Sequence, residues 1–171
     1  MDWYLLVLRV VHILAGIFWV GSGLFFFFFI EPSVKELGEP GERFMGHLAG
    51  KAKMPVFITA TAGLTLLAGV LLYWRSSGGF DVDWITSATG LGFTVGGMAA
   101  ILAFAFGLMF IKPAVDRMSA IGQQAATAGG PPTEAQASEL QRLGARLTLV
   151  GRLDLILLTV ALVAMATARY L

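Results

Sequence analysis

Four long apolar runs dominate the chain, separated by segments in which charged and turn-forming residues concentrate. The runs extend from about Trp3 to Ile30, Met54 to Trp74, Trp84 to Ile111 and Leu147 to Tyr170. Each reaches the roughly 20 residues that a helix needs to cross a hydrocarbon core about 30 Å thick. Lipid offers the backbone no hydrogen bonds, so a continuous apolar run must satisfy its own N–H and C=O groups as helix. A membrane β-barrel would instead alternate polar and apolar positions over strands of about ten residues. The pattern therefore predicts an all-α fold, a transmembrane up-down-up-down four-helix bundle. It forms a single integral membrane domain over residues 1–171, with cytoplasmic connections 31–53 and 112–146. The first run is too long for the core of a cleavable signal peptide and has no A-x-A-like site after it.

The connections orient the bundle. Lys35, Arg43, Lys51 and Lys53 lie between runs one and two. Lys112, Arg117, Arg142 and Arg146 lie between runs three and four, with Arg152 just inside the last. The positive-inside rule places these connections in the cytoplasm. The chain is then expected as a multi-pass protein of the cell inner membrane with both termini, and the 75–83 loop, on the periplasmic side. Trp3, Tyr4, Tyr73, Trp74, Trp84 and Tyr170 fall at that outer level, where aromatic belts form.

The halves resemble each other. "FIEPSVKEL" at 29–37 aligns with "FIKPAVDRM" at 110–118, and "LLYWR" and "MATARY" close runs two and four. This reads as two similar helical hairpins related about an axis along the membrane normal. Pro32 and Pro113 follow the apolar runs, where proline kinks a helix or starts a new one. The segments 33–50 and 114–126 are amphipathic, with Val34, Leu37, Phe44, Met45 and Leu48 on one expected face at headgroup level. Gly129, Gly130, Pro131 and Pro132 form the strongest breaker cluster. Thr133 with Gln136 matches a capping box, which predicts a helix running unbroken into run four.

Composition narrows the classes. Of 171 residues, 57% are hydrophobic and 13% charged, with a mean hydropathy of +0.77. Soluble domains carry about 25% charged residues, so a soluble globular enzyme is excluded. A net charge of +1 argues against a nucleic-acid partner. With no cysteine, the chain has no disulfide, thiolate metal site or iron–sulfur cluster. Its two histidines, His12 and His47, fall at different depths, and no carboxylate cluster joins them, so no multi-ligand metal site is expected.

Ionisable residues inside a span are costly and mark candidate sites. Arg9 and His12 share a face of run one with Gly16, Trp19 and Gly23. A neutral imidazole in a bundle, beside a glycine, suits an axial ligand of haem b. Arg9, one turn nearer the outer surface, would then pair with a propionate. His47 lies across the bilayer, so a second ligand would be Met165 or a histidine of another chain. The competing reading is structural: His12 hydrogen-bonds a backbone carbonyl or hydroxyl of a neighbouring helix, and Arg9 snorkels to the headgroups. His47 reads as solvated. Arg152 and Asp154 point to different sides of run four; Lys112, Lys51 or Lys53 would satisfy Asp154, and Arg152 would reach lipid phosphate. A proton relay through them would need polar groups across the core, where only Thr59, Thr61, Thr65, Thr89 and Thr94 stand in runs two and three. Glycines 90, 92, 96 and 97 with alanines 99, 100, 103 and 105 make run three small-faced, for close helix packing. Phe25–Phe29 puts aromatics on every side of run one, some toward lipid and some toward the bundle; a pigment or quinone would stack there, and lipid-facing bulk is the commoner explanation.

Run one, "LRVVHILAGIFWVGSGLFFFFF", resembles the opening of bacterial four-helix membrane proteins of the copper-resistance D-like group and related predicted integral membrane families. Their openings read as a His, a short apolar stretch, then W-x-G, which here are His12, Trp19 and Gly21. The resemblance implies copper handling or, in a more distant haem-synthesis branch, haem-bound oxidase chemistry, with His12 as the candidate ligand. The further His and Met ligands expected for copper delivery do not occur here.

These observations favour a non-catalytic accessory subunit that sits in the lipid bilayer and packs against other membrane subunits, as in a respiratory or photosynthetic electron-transfer complex. The alternatives are a b-type haem protein using His12, with Arg9, Gly16 and Met165 around the cofactor, and a copper or proton transporter.

Overall fold

A computed structural model describes residues 2–171. Every element is helical among them. Eight α-helices follow in order: α1 Trp3–Phe25, α2 Glu31–Leu37, α3 Glu39–Gly50, α4 Met54–Ser76, α5 Val82–Thr86, α6 Ala88–Phe106, α7 Lys112–Ala128 and α8 Glu134–Thr167. Four helical stretches are long and apolar enough to cross a membrane, in agreement with the hydropathy pattern. The contacts divide the chain into two compact units.

Among the described residues, the first unit comprises 2–24, 58–105 and 155–171. Its core is Trp19, Ala62, Ala99, Ala100, Ala103, Leu158 and Ala161. Five of these seven are alanine, so the helices approach closely around one large wedge, Trp19. Phe104 meets the Trp19 ring edge-on at 6.2 Å between centroids, an arrangement that the ring quadrupoles favour. Lipid tails are as apolar as leucine, so helices in a membrane gain stability from tight packing rather than from leaving water. Gly96 shows how tight the packing is. A Cβ placed there would lie 2.7 Å from Met165 Cγ and 3.2 Å from the Ala161 carbonyl. Its neighbour Gly97 has nothing within 4 Å of the same construction. The small residues of run three thus face inward at Gly90, Gly92, Gly96, Ala99, Ala100 and Ala103.

Tyr73 and Thr94 join two helices of this unit through their hydroxyl groups. Thr94 donates to the Gly90 carbonyl, so its single proton is used. Tyr73 is then the donor in its 2.6 Å bond to Thr94 Oγ1, tying α4 to α6. The third run differs from expectation at its start. Residues 82–86 form a separate turn of helix capped by Asp81, whose carboxylate accepts the Trp84 N–H. Ser87 then adopts extended backbone, and its hydroxyl accepts the Gly90 N–H to start α6.

The second unit comprises residues 25–57 and 106–154. Pro32 and Pro113 each sit just beyond a widened, π-helical turn, Phe26–Ile30 and Gly107–Ile111 respectively. Proline has no N–H and its ring clashes with the carbonyl four residues back. Widening the turn absorbs this: the N–H groups of Glu31 and Lys112 reach back five residues, to Phe26 and Gly107. The helix continues past each proline. The two turns are 81 positions apart, and so are the flanking pairs. Phe25 and Phe29 rings lie 5.5 Å apart, and Phe106 and Phe110 rings 5.3 Å apart. Glu31 pairs with Lys35, and Lys112 pairs with Asp116, the same spacing with the charges reversed. Glu31 also accepts a 2.7 Å bond from the Thr148 hydroxyl.

The amphipathic segment 33–50 is not one helix. It breaks at Gly38, whose φ of +62° favours glycine. Consequently the expected face is split: Val34, Met45 and Leu48 are half-buried, whereas Leu37 and Phe44 are exposed. α3 packs on both α2 and α7. Between α7 and α8, Gly129 takes the left-handed C-cap conformation. The capping box forms as predicted: the Thr133 N–H donates to Gln136 Oε1, and the Gln136 N–H to Thr133 Oγ1. α8 then runs 34 residues without a break.

Gly96→Leu is expected to overpack the first unit at a cost of about 1–3 kcal/mol. Gly97→Leu should stay within about 0.5 kcal/mol of the parent. Denaturant titration of both variants in one detergent, followed by tryptophan fluorescence, checks the difference.

Candidate functional site

α1 presents its inward face as His12, Ala15, Gly16 and Trp19; Ala15 and Trp19 are buried, and His12 and Gly16 partly so. His12 Nδ1 lies 2.8 Å from the Thr65 backbone oxygen on α4. A carbonyl only accepts, so Nδ1 carries the proton, and the neutral ring keeps its lone pair on Nε2.

The approach depends on Gly69. In an α-helix the carbonyl of residue 65 accepts from the N–H of residue 69, one turn on. A side chain at 69 would cover that carbonyl. A Cβ at Gly69 would sit 2.9 Å from His12 Cε1 and 3.1 Å from Nδ1, so the imidazole occupies the space that glycine leaves. Thr65 is itself buried, and its hydroxyl donates back to the Thr61 carbonyl at 2.7 Å. The hydroxyl is therefore no rival for the imidazole. One step along α1, Gly16 rests on the Thr65 methyl group at 3.5 Å from its would-be Cβ.

The remaining sequence candidates are placed separately. Arg9 is exposed. Met165 is seated on Gly96 and packs against the alanine-rich core. His12 and Met165 thus have different partners: Thr65 and Gly69 for the first, Gly96 for the second. Gly23 faces Leu158 at 3.6 Å. His47 is exposed on α3.

Asp154 differs from expectation. Its Oδ1 is buried without a hydrogen-bond partner among the described residues, so none of Lys51, Lys53 and Lys112 bonds to that oxygen. Lys112 is engaged by Asp116 instead, four residues along its own helix. Arg152 is exposed, as its opposite placement implied. The threonines weighed as a relay mostly turn inward on their own helices: Thr61 donates to Ile58, Thr65 to Thr61 and Thr94 to Gly90. Among the described residues, no three His, Cys, Asp or Glu side chains come together in a metal-binding group.

The chemistry available at His12 is that of an imidazole held by one nitrogen with the other nitrogen basic. Metal-ligating histidines commonly have their second nitrogen fixed in this way. The residues present would offer one metal bond, through Nε2, while the gaps at Gly69 and Gly16 are already taken by the imidazole itself and by the Thr65 methyl group. The residues that sequence reasoning missed are Gly69 and the Thr65 carbonyl. Their signal is the i, i+4 pair in "TLLAG" (65–69) on a span facing a histidine.

In ¹⁵N NMR of histidine-labelled protein, neutral His12 is expected to show a protonated Nδ1 and an unprotonated Nε2. Gly69→Ala should displace the ring and abolish that tautomer signature, while Gly63→Ala, where open space lies over the glycine, should leave it unchanged.

Compared with protein-family models, with curated proteins and with solved structures, the chain finds no match in any of the three.

Proposed function

We propose that this chain is a non-catalytic integral membrane subunit: an up-down-up-down bundle of two similar hairpins, with both termini on the periplasmic side of the inner membrane, that packs against other membrane subunits of a larger complex. The observation that carries this reading is the outward surface. The chain buries only 11% to 22% of each of its four apolar windows. On that open surface stand Gly21, Gly63, Gly97 and Gly151, each with nothing within 4 Å of a would-be Cβ. Glycine gives lipid little to pack on but lets the backbone of another helix approach closely. The interior polar groups support the same role, since one nitrogen of His12 with the Thr65 carbonyl, and Tyr73 with the Thr94 hydroxyl, are spent on holding helices together. The reversed ion pairs and repeated π-turns support the two-hairpin origin.

A second reading, a b-type haem protein, is favoured by one specific observation. The Nδ1 bond to Thr65 leaves the Nε2 lone pair of His12 for iron. In that reading Arg9 meets a propionate, and Met165 or another chain's histidine supplies the second ligand.

Purification from native membranes in mild detergent distinguishes the two. A subunit should co-purify with other membrane proteins, and Gly97→Leu should break that association while leaving the fold intact. A haem protein should show a Soret band that His12→Ala removes. Isolation of a lone, colourless chain would defeat both readings.

A further inference from the structure

Arg117 and Arg146 fasten α8 to the chain that leads into α7. Arg117 donates through Nε and Nη2 to the two carboxylate oxygens of Glu139, at 2.7 and 2.9 Å. The Arg146 guanidinium lies over the Phe110 ring, 5.5 Å from its centroid. Glu139 and Arg146 are two helical turns apart, as are Phe110 and Arg117. The two contacts are therefore rungs of one antiparallel ladder.

Arg142 lies between the rungs. It is three residues beyond Glu139 and four before Arg146, so all three share a face of α8. With Leu143 they line a groove of about 200 Å³. Among the described residues, Arg142 donates no hydrogen bond within the groove, and its charge acts only at longer range on Glu139. The acid beside it, Glu139, is already paired with Arg117. Three basic residues, Arg117, Arg142 and Arg146, thus stand around one acid, Glu139, which leaves a surplus of positive charge at the groove. Phe110 holds the Arg146 guanidinium in place by a cation–π contact, so little further ordering is needed for it to bind an anion.

The level of the groove identifies the anion. Phe110 is the last aromatic residue of the third apolar run, and Arg146 directly precedes the fourth. On the proposed four-span reading, on which this inference rests, both ends meet the membrane surface, where lipid phosphates lie. We propose that Arg142 and Arg146 bind the phosphate of an anionic phospholipid headgroup, with Leu143 and Phe110 against the first part of its acyl chains. A guanidinium fork matches phosphate geometry bidentately. Leu143 lines the same groove and is only half-buried, which leaves apolar surface for an acyl chain.

The test titrates the full-length protein, in neutral detergent, with short-chain phosphatidylglycerol, phosphatidylcholine and inorganic phosphate, with bound lipid counted by native mass spectrometry. Each basic residue near a membrane surface adds about 1 kcal/mol of attraction, so Arg142→Gln and Arg146→Gln should each weaken phosphatidylglycerol binding about fivefold, and together about thirtyfold. Phosphatidylcholine should not bind at this site, and millimolar phosphate should not displace the anionic lipid. Arg142→Gln removes no hydrogen bond, only a longer-range charge on exposed Glu139, so its thermal unfolding should stay close to that of the parent. The proposal is overturned if the double variant binds phosphatidylglycerol as the parent does. It is equally overturned if Lys51→Gln weakens binding as much, which would be a general charge effect, or if free phosphate competes on equal terms. Unchanged lipid binding with loss of a co-purifying protein would assign the groove to an acidic protein segment instead.

Discussion

Backbone polar groups without water set the terms for this molecule. Each must be satisfied within the protein wherever lipid surrounds it, and apolar side chains gain nothing by leaving lipid for each other. Stability must come from close contact and from hydrogen bonds between helices. The first unit follows both rules. Its core is built mainly from alanine, so helices draw near enough for one tryptophan and one leucine to fill it. Glycine is kept where a neighbouring backbone or side chain already occupies the Cβ position, as at Gly69 and Gly96.

Each departure from regular helix is compensated locally. Proline at 32 and 113 deprives the helix of a donor, and a π-helical turn in front of each re-pairs the backbone over five residues. The serines at 77 and 87 accept backbone N–H groups and donate to carbonyls, which pairs the 76–90 connection without solvent. His12 fits the same economy. Its Nδ1 shares a helical carbonyl that Gly69 leaves uncovered. Only Asp154 Oδ1 stands as a buried side-chain polar atom without a partner among the described residues.

Much of this was legible in the sequence, because hydropathy over 20 residues is a bulk property that no single contact overrides. The four helices, the small inward face of α6 and the Thr133–Gln136 cap all follow from spacing and composition. Two kinds of feature were not legible. The first is local backbone geometry: whether Pro32 kinks or restarts a helix depends on strain shared over a turn, and Gly38 breaks an amphipathic face whose periodicity continues through it. The second is partnership between distant residues. The pairing of His12 with a histidine-sized gap at Gly69 needs the register of α1 against α4. The engagement of Lys112 by Asp116, rather than by Asp154, needs the competing distances.

The account rests on lipid surrounding the apolar helices, and the absence of cysteine from the chain makes that directly measurable. Single cysteines at Leu67, Leu102 and Ile156, all exposed at the middle of apolar helices, and one at Gln123, exposed on α7, would be treated in intact membranes with a water-soluble maleimide. The account predicts fast labelling at 123 and none at the other three until detergent dissolves the bilayer. Labelling of 67, 102 and 156 at the rate of 123 would contradict it.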